Sequence, residues 1–434
     1  MSASLYTDNY KDAPYWWDES PRPVFADATG LPATADVLVI GSGFTGLAAA
    51  LETVRAGRST VVVDAEDPAW GCSSRNGGQV STSIKPTLDK LSAKYGPELG
   101  FEMRREGHRS LDYIEDFIRR EGLKVNWERV GRFHGAHNAR QYEKLAHDSG
   151  EVPKDLRTDA YVVPRNEQRK EIGSDHYHGG MIMPHHAALN PGKYANGMIA
   201  LVRQAGGTIV PHCKVVGLNR ESGGGFTVTT AKGVIKAREV IVATNGYTGE
   251  ATPWQRRRVI PIGSYIIATE ELDPKVANEI SPHARTMSDT RRLIFYYRLS
   301  PDRKRMLFGG RVAYMENDPR VSAPRLHYHM SEIFPQLRNT KVSHSWVGFV
   351  AYTFDTLPHI GQNEGLYYAM GYCGSGVGLA TYFGMRIGQQ LLGKAEGKTP
   401  LDNIPFPTRP LYSGNPWFLG PSIMWYRVLD KLPI

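Results

Sequence analysis

Residues 41–46 read Gly-Ser-Gly-Phe-Thr-Gly, directly after the β-branched run at 35–40 and before apolar positions at helical spacing, Leu47, Leu51 and Val54. Strand, glycine loop and helix in that order form the phosphate cradle of a dinucleotide. Gly41 permits the tight turn, Gly43 lets the backbone approach a pyrophosphate at the helix N-terminus, and Gly46 lets helix and strand pack closely. Phe44 and Thr45 complete the same cradle. The next apolar run, 60–63, ends on Asp64. That carboxylate can accept both ribose hydroxyls of an adenosine and would repel a 2′-phosphate. A glycine turn with no ligand explains the loop alone, but not the loop together with the acid.

Two further stretches discriminate between dinucleotides. Residues 71–79 read Gly-Cys-Ser-Ser-Arg-Asn-Gly-Gly-Gln, and residues 371–378 read Gly-Tyr-Cys-Gly-Ser-Gly-Val-Gly at the start of another helical pattern. A nicotinamide enzyme needs one such loop. A flavin enzyme needs more, because FAD is long and its N1/O2 edge becomes anionic on reduction. The positive end of a helix beginning near Gly376 could stabilise that anion.

The elements that must position these loops follow from periodicity. A complete βαβ unit spans 36–64, with Gly57 ending its helix. Helices are predicted around Leu111, Ile114, Phe117 and Ile118, from Pro191 to Gly206-Gly207, and over 376–392, where Leu379, Phe383, Ile387 and Leu391 form one stripe. Glu115/Arg119 and Asp116/Arg120 stand at spacings that favour i,i+4 ion pairs. Strands are expected at 208–211, 213–218, 226–230 and 240–243, and the stretch 259–311 is strand-rich. The first thirty-odd residues read as an extended aromatic arm. The layout is a nucleotide domain interrupted by a mostly antiparallel sheet.

Composition excludes several classes. Of 434 residues, 41% are hydrophobic and 22% charged, so the chain has the make-up of an ordinary globular protein rather than a disordered or fibrous one. No stretch reaches the ~18 apolar residues of a membrane span. The residues 1–14 lack the pattern of a secretory signal. Lys+Arg 52 against Asp+Glu 44 gives a net charge of +8, but the basic runs (Arg256–Arg258; Arg303, Lys304, Arg305) are short. A phosphate-bearing cofactor or an anionic substrate accounts for that excess better than nucleic acid does. Three cysteines, Cys72, Cys213 and Cys373, form no C-x-x-C pair and fit a cytoplasmic enzyme. His176, His178, His185 and His186 cluster in sequence. Such spacing can bind metal, yet the expected chemistry needs none, and no metal site is assigned.

These motifs resemble those of the FAD-dependent oxidoreductases of the D-amino-acid-oxidase superfamily, with the nearest likeness in the γ-glutamylputrescine oxidase branch. The match runs through residues 41–46, Asp64, Ser74-Arg75-Asn76-Gly77-Gly78-Gln79, Ala243-Thr244-Asn245-Gly246, Leu307-Phe308-Gly309-Gly310-Arg311, Trp346-x-Gly348, Asp355-x-x-Pro358-x-Ile360-Gly361 and residues 371–376. The resemblance implies an α/β fold: a Rossmann-like FAD-binding domain (35–88, 181–250, 345–434) with an interleaved, mostly antiparallel-sheet substrate domain (89–180, 251–344) and an N-terminal arm (1–34). It implies that Asp64 binds the ribose and Val215 the adenine, through its backbone. Asn76, Gly77 and Gly78, with Ser74, Arg75, Gln79 and Ala243, would line the cofactor, and Gly374, Ser375, Gly376 and Val377 would meet the flavin's pyrimidine edge.

The implied reaction is oxidation of a C–N bond. Hydride leaves the carbon beside nitrogen for flavin N5, giving an imine that water hydrolyses. A neutral amine is required, and oxygen or another acceptor takes the electrons. Two positions depart from the sarcosine-oxidase pattern: Leu307 stands where relatives have a lysine that assists oxygen reduction, and Gly378 where they have one that grips the substrate carboxylate. Arg311 and Tyr297 are the candidate substrate-facing residues. The residues used elsewhere for covalent flavin attachment are missing around 350–352 and at Gly71, so FAD is expected to be non-covalent. Alternatives are a glycine, sarcosine or D-amino-acid type of oxidase or dehydrogenase, an NAD(P)H-dependent monooxygenase, and a non-catalytic flavoprotein subunit.

Overall fold

A computed structural model of the chain describes residues 4–25, 30–151, 153–156, 159–311 and 318–430. Part of the predicted arm, 26–29, lies outside them. Two large sheets organise the described residues. The eight-stranded sheet runs, edge to edge, Val215–Arg220, Phe226–Thr230, Gly233–Val242, Thr34–Ile40, Thr60–Val63 and Thr208–Val210. Leu366–Met370 and His359–Asn363 attach beside Gly233–Val242. The central pairs are parallel, with Val37 opposite Thr60 and Val61 opposite Thr208. Val37 and Val39 pack into one apolar cluster with the helices, while Leu38 and Ile40 enter another on the opposite face. Burial on both faces is why residues 35–40 read as an unbroken apolar run rather than an alternating one.

Helix Phe44–Arg55 follows the glycine loop, and helix Gly376–Leu391 crosses it. A Cβ placed on Gly384 would stand 2.4 Å from the Thr45 carbonyl oxygen, and one on Gly388 2.9 Å from Glu52 Cβ. Glycine at these positions therefore lets the two backbones touch, with the N-terminal turn of helix Phe44–Arg55 seated against the C-terminal half of helix Gly376–Leu391.

The nine-stranded sheet runs Tyr6–Lys11, Val342–Tyr352, Ile260–Thr269, Met306–Gly310, Phe295–Leu299, Thr286–Asp289, Arg132–Gly135, Gly180–Met183 and Tyr161–Val163. One face packs on helix Pro319–Ile333 through Tyr265, Ile267, Tyr297 and Phe308. The other presents Ile266, Ala268, Leu307 and Trp346 to Tyr15 and Trp16. The arm is thus docked: its first strand pairs in parallel with Val342–Tyr352.

Several local expectations shift. The strand expected at 213–218 is Val215–Arg220, and the one at 240–243 is the end of a longer strand, Gly233–Val242. Helix Pro274–Ile280 interrupts the strand-rich stretch. Neither i,i+4 pair forms on helix Pro97–Arg120. Glu115 is taken by Arg129 and by the Trp127 indole (2.8 Å), and Asp116 pairs instead with Arg119 at 2.7 Å. Partners from a distant segment offer Glu115 a partly buried, bidentate geometry that an exposed helical neighbour does not.

Candidate active site

The first glycine loop is built for close approach. Gly41 has φ +101°, and a Cβ there would meet the Ala243 carbonyl oxygen at 2.9 Å. A Cβ on Gly46 would fall 1.9 Å from the Gly41 carbonyl oxygen. Phe44 N donates to Ser73 Oγ (2.9 Å), and Thr45 Oγ1 meets the Tyr372 hydroxyl at 2.7 Å, tying the loop to the second and third glycine-rich stretches. Asp64 accepts from Ser42 N (2.7 Å), Ser42 Oγ (2.5 Å) and Glu66 N (3.0 Å). Burial pushes its carboxyl above the usual range, against the opposing pull of those bonds. A cavity of about 290 Å³ opens here, walled by Gly41, Gly43, Asp64, Val215 and Ala243 among others. A cradle that any Cβ would fill, with an acid at its end and Val215 across from it, fits the ADP half of FAD.

In the second stretch, the side chains mostly hold the loop itself. Asn76 Nδ2 donates to the Cys72 and Ser73 carbonyls (3.0 and 2.8 Å), and its Oδ1 accepts from Gly78 N (2.8 Å). Ser74 Oγ donates to the Ala69 carbonyl (2.6 Å) and accepts from the Trp17 indole (3.1 Å). Arg75 lies over the Trp70 and Trp17 rings at 4.1 and 4.7 Å and donates to the Trp70 carbonyl. Indoles from the arm and the larger sheet cap the loop: Trp16 donates to the Asn76 carbonyl and Trp346 to the Arg75 carbonyl, both at 2.8 Å. Gly78, at φ +66°, leaves no room for a Cβ, which would stand 2.2 Å from the Leu189 carbonyl oxygen. The loop therefore presents mainly backbone to any ligand beside it. Gln79 clips onto the larger sheet through the Tyr297 carbonyl (3.2 Å) and takes a bond from Arg132 (3.1 Å).

The third stretch turns through Gly371, Cys373 and Gly374, all at positive φ, and enters helix Gly376–Leu391 at Ser375, whose side chain makes no capping bond. Among the described residues, nothing stands within 3.8 Å of a Cβ on Gly374 or Gly376 except Tyr352 and Tyr372 at that limit. The helix thus begins on open, positively polarised N–H groups, suited to an anionic ring edge. Val377, just inside, is buried. Burial pushes the thiols of Cys72 and Cys373 up to about 11, so neither is a thiolate at neutral pH.

Tyr297 requires a correction. It is fully buried on the face covered by helix Pro319–Ile333, stacked on Phe308, with its hydroxyl 2.6 Å from that of Tyr177. Strand alternation turns its neighbour the other way: Tyr296 is half-buried, its ring lies 3.0 Å from a Cβ on Gly77, and its hydroxyl is 2.8 Å from Ser264 Oγ. Tyr296, not Tyr297, faces the loop at 71–79. Leu307 shares that face and packs with Trp16 and Trp346. Gly378 is buried against Ser110 and Val80. Arg311 is buried, donates to the Gly263 carbonyl at 2.7 Å, and stands at the wall of a larger cavity of about 1130 Å³ between helices Pro319–Ile333 and Leu419–Leu429.

Three of the four clustered histidines have separate partners. His176 meets Arg291 (2.7 Å), His185 meets Asp159 (3.1 Å), and buried His186 meets Thr82 (3.3 Å). The residues missed from sequence are Tyr296, Arg132, His134 and the capping indoles. Alternation along 132–135 and 295–299 held the signal for the first three; Trp346 stood in a matching motif and Trp16 and Trp17 in the aromatic arm, but their capping partners are remote in sequence.

A family model described as DAO, FAD dependent oxidoreductase, matches residues 36–390. The chain is 31% identical to the gamma-glutamylputrescine oxidoreductase of Escherichia coli, over 86% of this chain and 87% of that protein. It is 29% identical to a probable oxidoreductase, OrdL, of Haemophilus influenzae, over 92% of both. Among solved structures, glycine oxidase from Geobacillus kaustophilus superposes with a TM-score of 0.68 at 16% identity, covering 87% of this chain and 99% of that one. L-proline dehydrogenase from P. horikoshii gives 0.69 at 17%, covering 90% and 99%. By that family match over most of its length, the chain belongs to the DAO family of FAD-dependent oxidoreductases, enzymes acting on the C–N bond of amines and amino acids.

Proposed function

We propose that the chain oxidises an amine whose reacting nitrogen carries no adjacent α-carboxylate, such as a γ-glutamylated polyamine. The observation that carries this reading is Gly378: the position lies against Ser110 and Val80 and supplies no cation to grip an α-carboxylate. The likeness to the E. coli gamma-glutamylputrescine oxidoreductase supports it. The residues at 41–46, Asp64, Val215 and Ala243 hold the ADP half of the cofactor without a covalent bond. The backbone of 74–79 and of Gly374, Ser375, Gly376 and Val377 flanks the ring system. Residues 35–88, 181–250 and 345–434 serve the cofactor, and 89–180 and 251–344 the substrate.

When bound, FAD accepts the hydride released from the carbon beside nitrogen. The chain's own contribution is burial and placement. Tyr296 and Tyr352 offer half-buried aromatic surface beside the second and third loops. On the same face, burial pushes His134 down to about 3. The same desolvation favours the neutral form of an amine entering there, the form with a lone pair to expel hydride. The three free cysteines support a reducing cytoplasm as its compartment, and no described helix is long and apolar enough to cross a membrane.

The test is anaerobic reduction of the holoenzyme flavin, followed by absorbance, against γ-glutamylputrescine, putrescine, sarcosine, glycine and D-alanine. The γ-glutamylated amine should bleach the flavin fastest. Faster bleaching by sarcosine or glycine returns the enzyme to α-amino-acid oxidation.

A further inference from the structure

Arg132 lies on the strand Arg132–Gly135, where alternation sends Phe133 into the core under helix Pro319–Ile333 and turns Arg132 and His134 to the opposite face. His134 Nδ1 meets Ser288 Oγ (2.9 Å), and Ser288 stands opposite Tyr296 in the ladder. The guanidinium reaches the flavin loop, where one nitrogen donates to Gln79 Oε1 at 3.1 Å. Gln79 is itself pinned to the sheet through the Tyr297 carbonyl, so the fork is oriented from behind.

What remains of that fork is unspent. Arg132 Nε is buried and makes no hydrogen bond among the described residues. Burial alone pushes the guanidinium down to about 10, and no carboxylate among the described residues offsets it. Arg298, two strands away, shows what a structural arginine looks like in this sheet: its Nε donates to the Leu299 carbonyl and one terminal nitrogen to the carbonyls of Gly78 and Leu189, each at 3.0 Å. A buried N–H left unmade is costly, and a buried cation without a counter-charge more so. A guanidinium fixed through one terminal nitrogen, with no carboxylate beside it among the described residues, keeps donors that a carboxylate can take.

We propose that Arg132, oriented by Gln79, is the anion receptor of the site and takes the carboxylate of the substrate, in place of Arg311. This deepens the function proposed above and rests on it: the α-carboxylate lysine is absent, and a substrate with a distal acidic group is received by the sheet instead.

The test uses holoenzyme and two readouts. Glutarate and benzoate binding is followed by perturbation of the flavin absorbance, and anaerobic flavin reduction is compared for γ-glutamylputrescine and putrescine. Arg132→Met should raise the Kd of glutarate at least tenfold and cut the preference for the γ-glutamylated over the bare amine at least tenfold. Arg311→Met should do neither. Should Arg132→Met fail to retain FAD, Arg132→Lys, which keeps the charge but not the fork, is read against the same thresholds. Smaller changes, an equal or larger loss in Arg311→Met, or no carboxylate binding to wild type overturns the proposal. If no amine reduces the flavin, the function proposed above fails, while the glutarate arm still decides the role of Arg132.

Discussion

The contact between the two glycine-loop helices makes a sharp prediction within a single helix. Gly384→Ala places a methyl group 2.4 Å from the Thr45 carbonyl oxygen and 2.9 Å from Ala48 Cβ. Gly378→Ala, in the same helix, meets nothing nearer than Ser110 Oγ at 3.4 Å, an ordinary contact. Both substitutions gain up to ~1 kcal/mol from helix propensity. Only Gly384→Ala overpacks a rigid backbone, at a cost of ~1–3 kcal/mol. Gly378→Ala should therefore be neutral or stabilising, and Gly384→Ala less stable than it by ~1–3 kcal/mol. Relieving the clash moves helix Gly376–Leu391 away from Thr45, so FAD affinity should fall in Gly384→Ala as well. The assay is urea denaturation at saturating FAD, paired with FAD titration of apoprotein by flavin fluorescence. Equal midpoints for the two variants would show that the helices separate without cost, and the argument for backbone contact would be wrong.

Asp64→Ala should weaken FAD binding, since two charge-assisted bonds to ribose, each ~1.5–3 kcal/mol, are lost; unchanged affinity by titration would remove the ribose assignment. Acid precipitation should leave all the flavin in the supernatant, because burial keeps Cys72 protonated well above neutral pH; colour in the pellet would contradict it. Burial pushes His134 down to about 3 and His176 and His329 to about 4. Unfolding lets them rise to ordinary values near 6.5, so between about pH 4 and 6.5 the unfolded chain binds more protons and stability falls as pH falls. Denaturation midpoints should drop from pH 7.5 to 5.5, and less steeply in His134→Gln; a parallel drop in the variant would exclude His134 as a contributor.

The glycine-rich loops were legible because their signals are local. A glycine at a tight turn, an acid at the end of a strand and an apolar run of five or six residues are properties of short segments, and residues 41–46, Asp64 and the helix at 376 needed no partner to be recognised. Which side of a strand faces the flavin is different. It depends on the pairing register, and a shift of one residue inverts every side chain. Tyr296 stands opposite Gly309 and Tyr297 opposite Phe308, so the ladder alone sends one tyrosine to the flavin loop and the other to the core. The same holds for Arg132, which nothing in its neighbourhood of sequence distinguishes from other arginines. Its charge became informative only when folding buried it against Gln79, a residue 53 positions away in the chain. Glu115 likewise found Arg129 rather than its helical neighbour. Segment chemistry was written in the sequence; side-chain direction and long-range partnership arose only from the packed sheets, because both are set by contacts between residues remote along the chain.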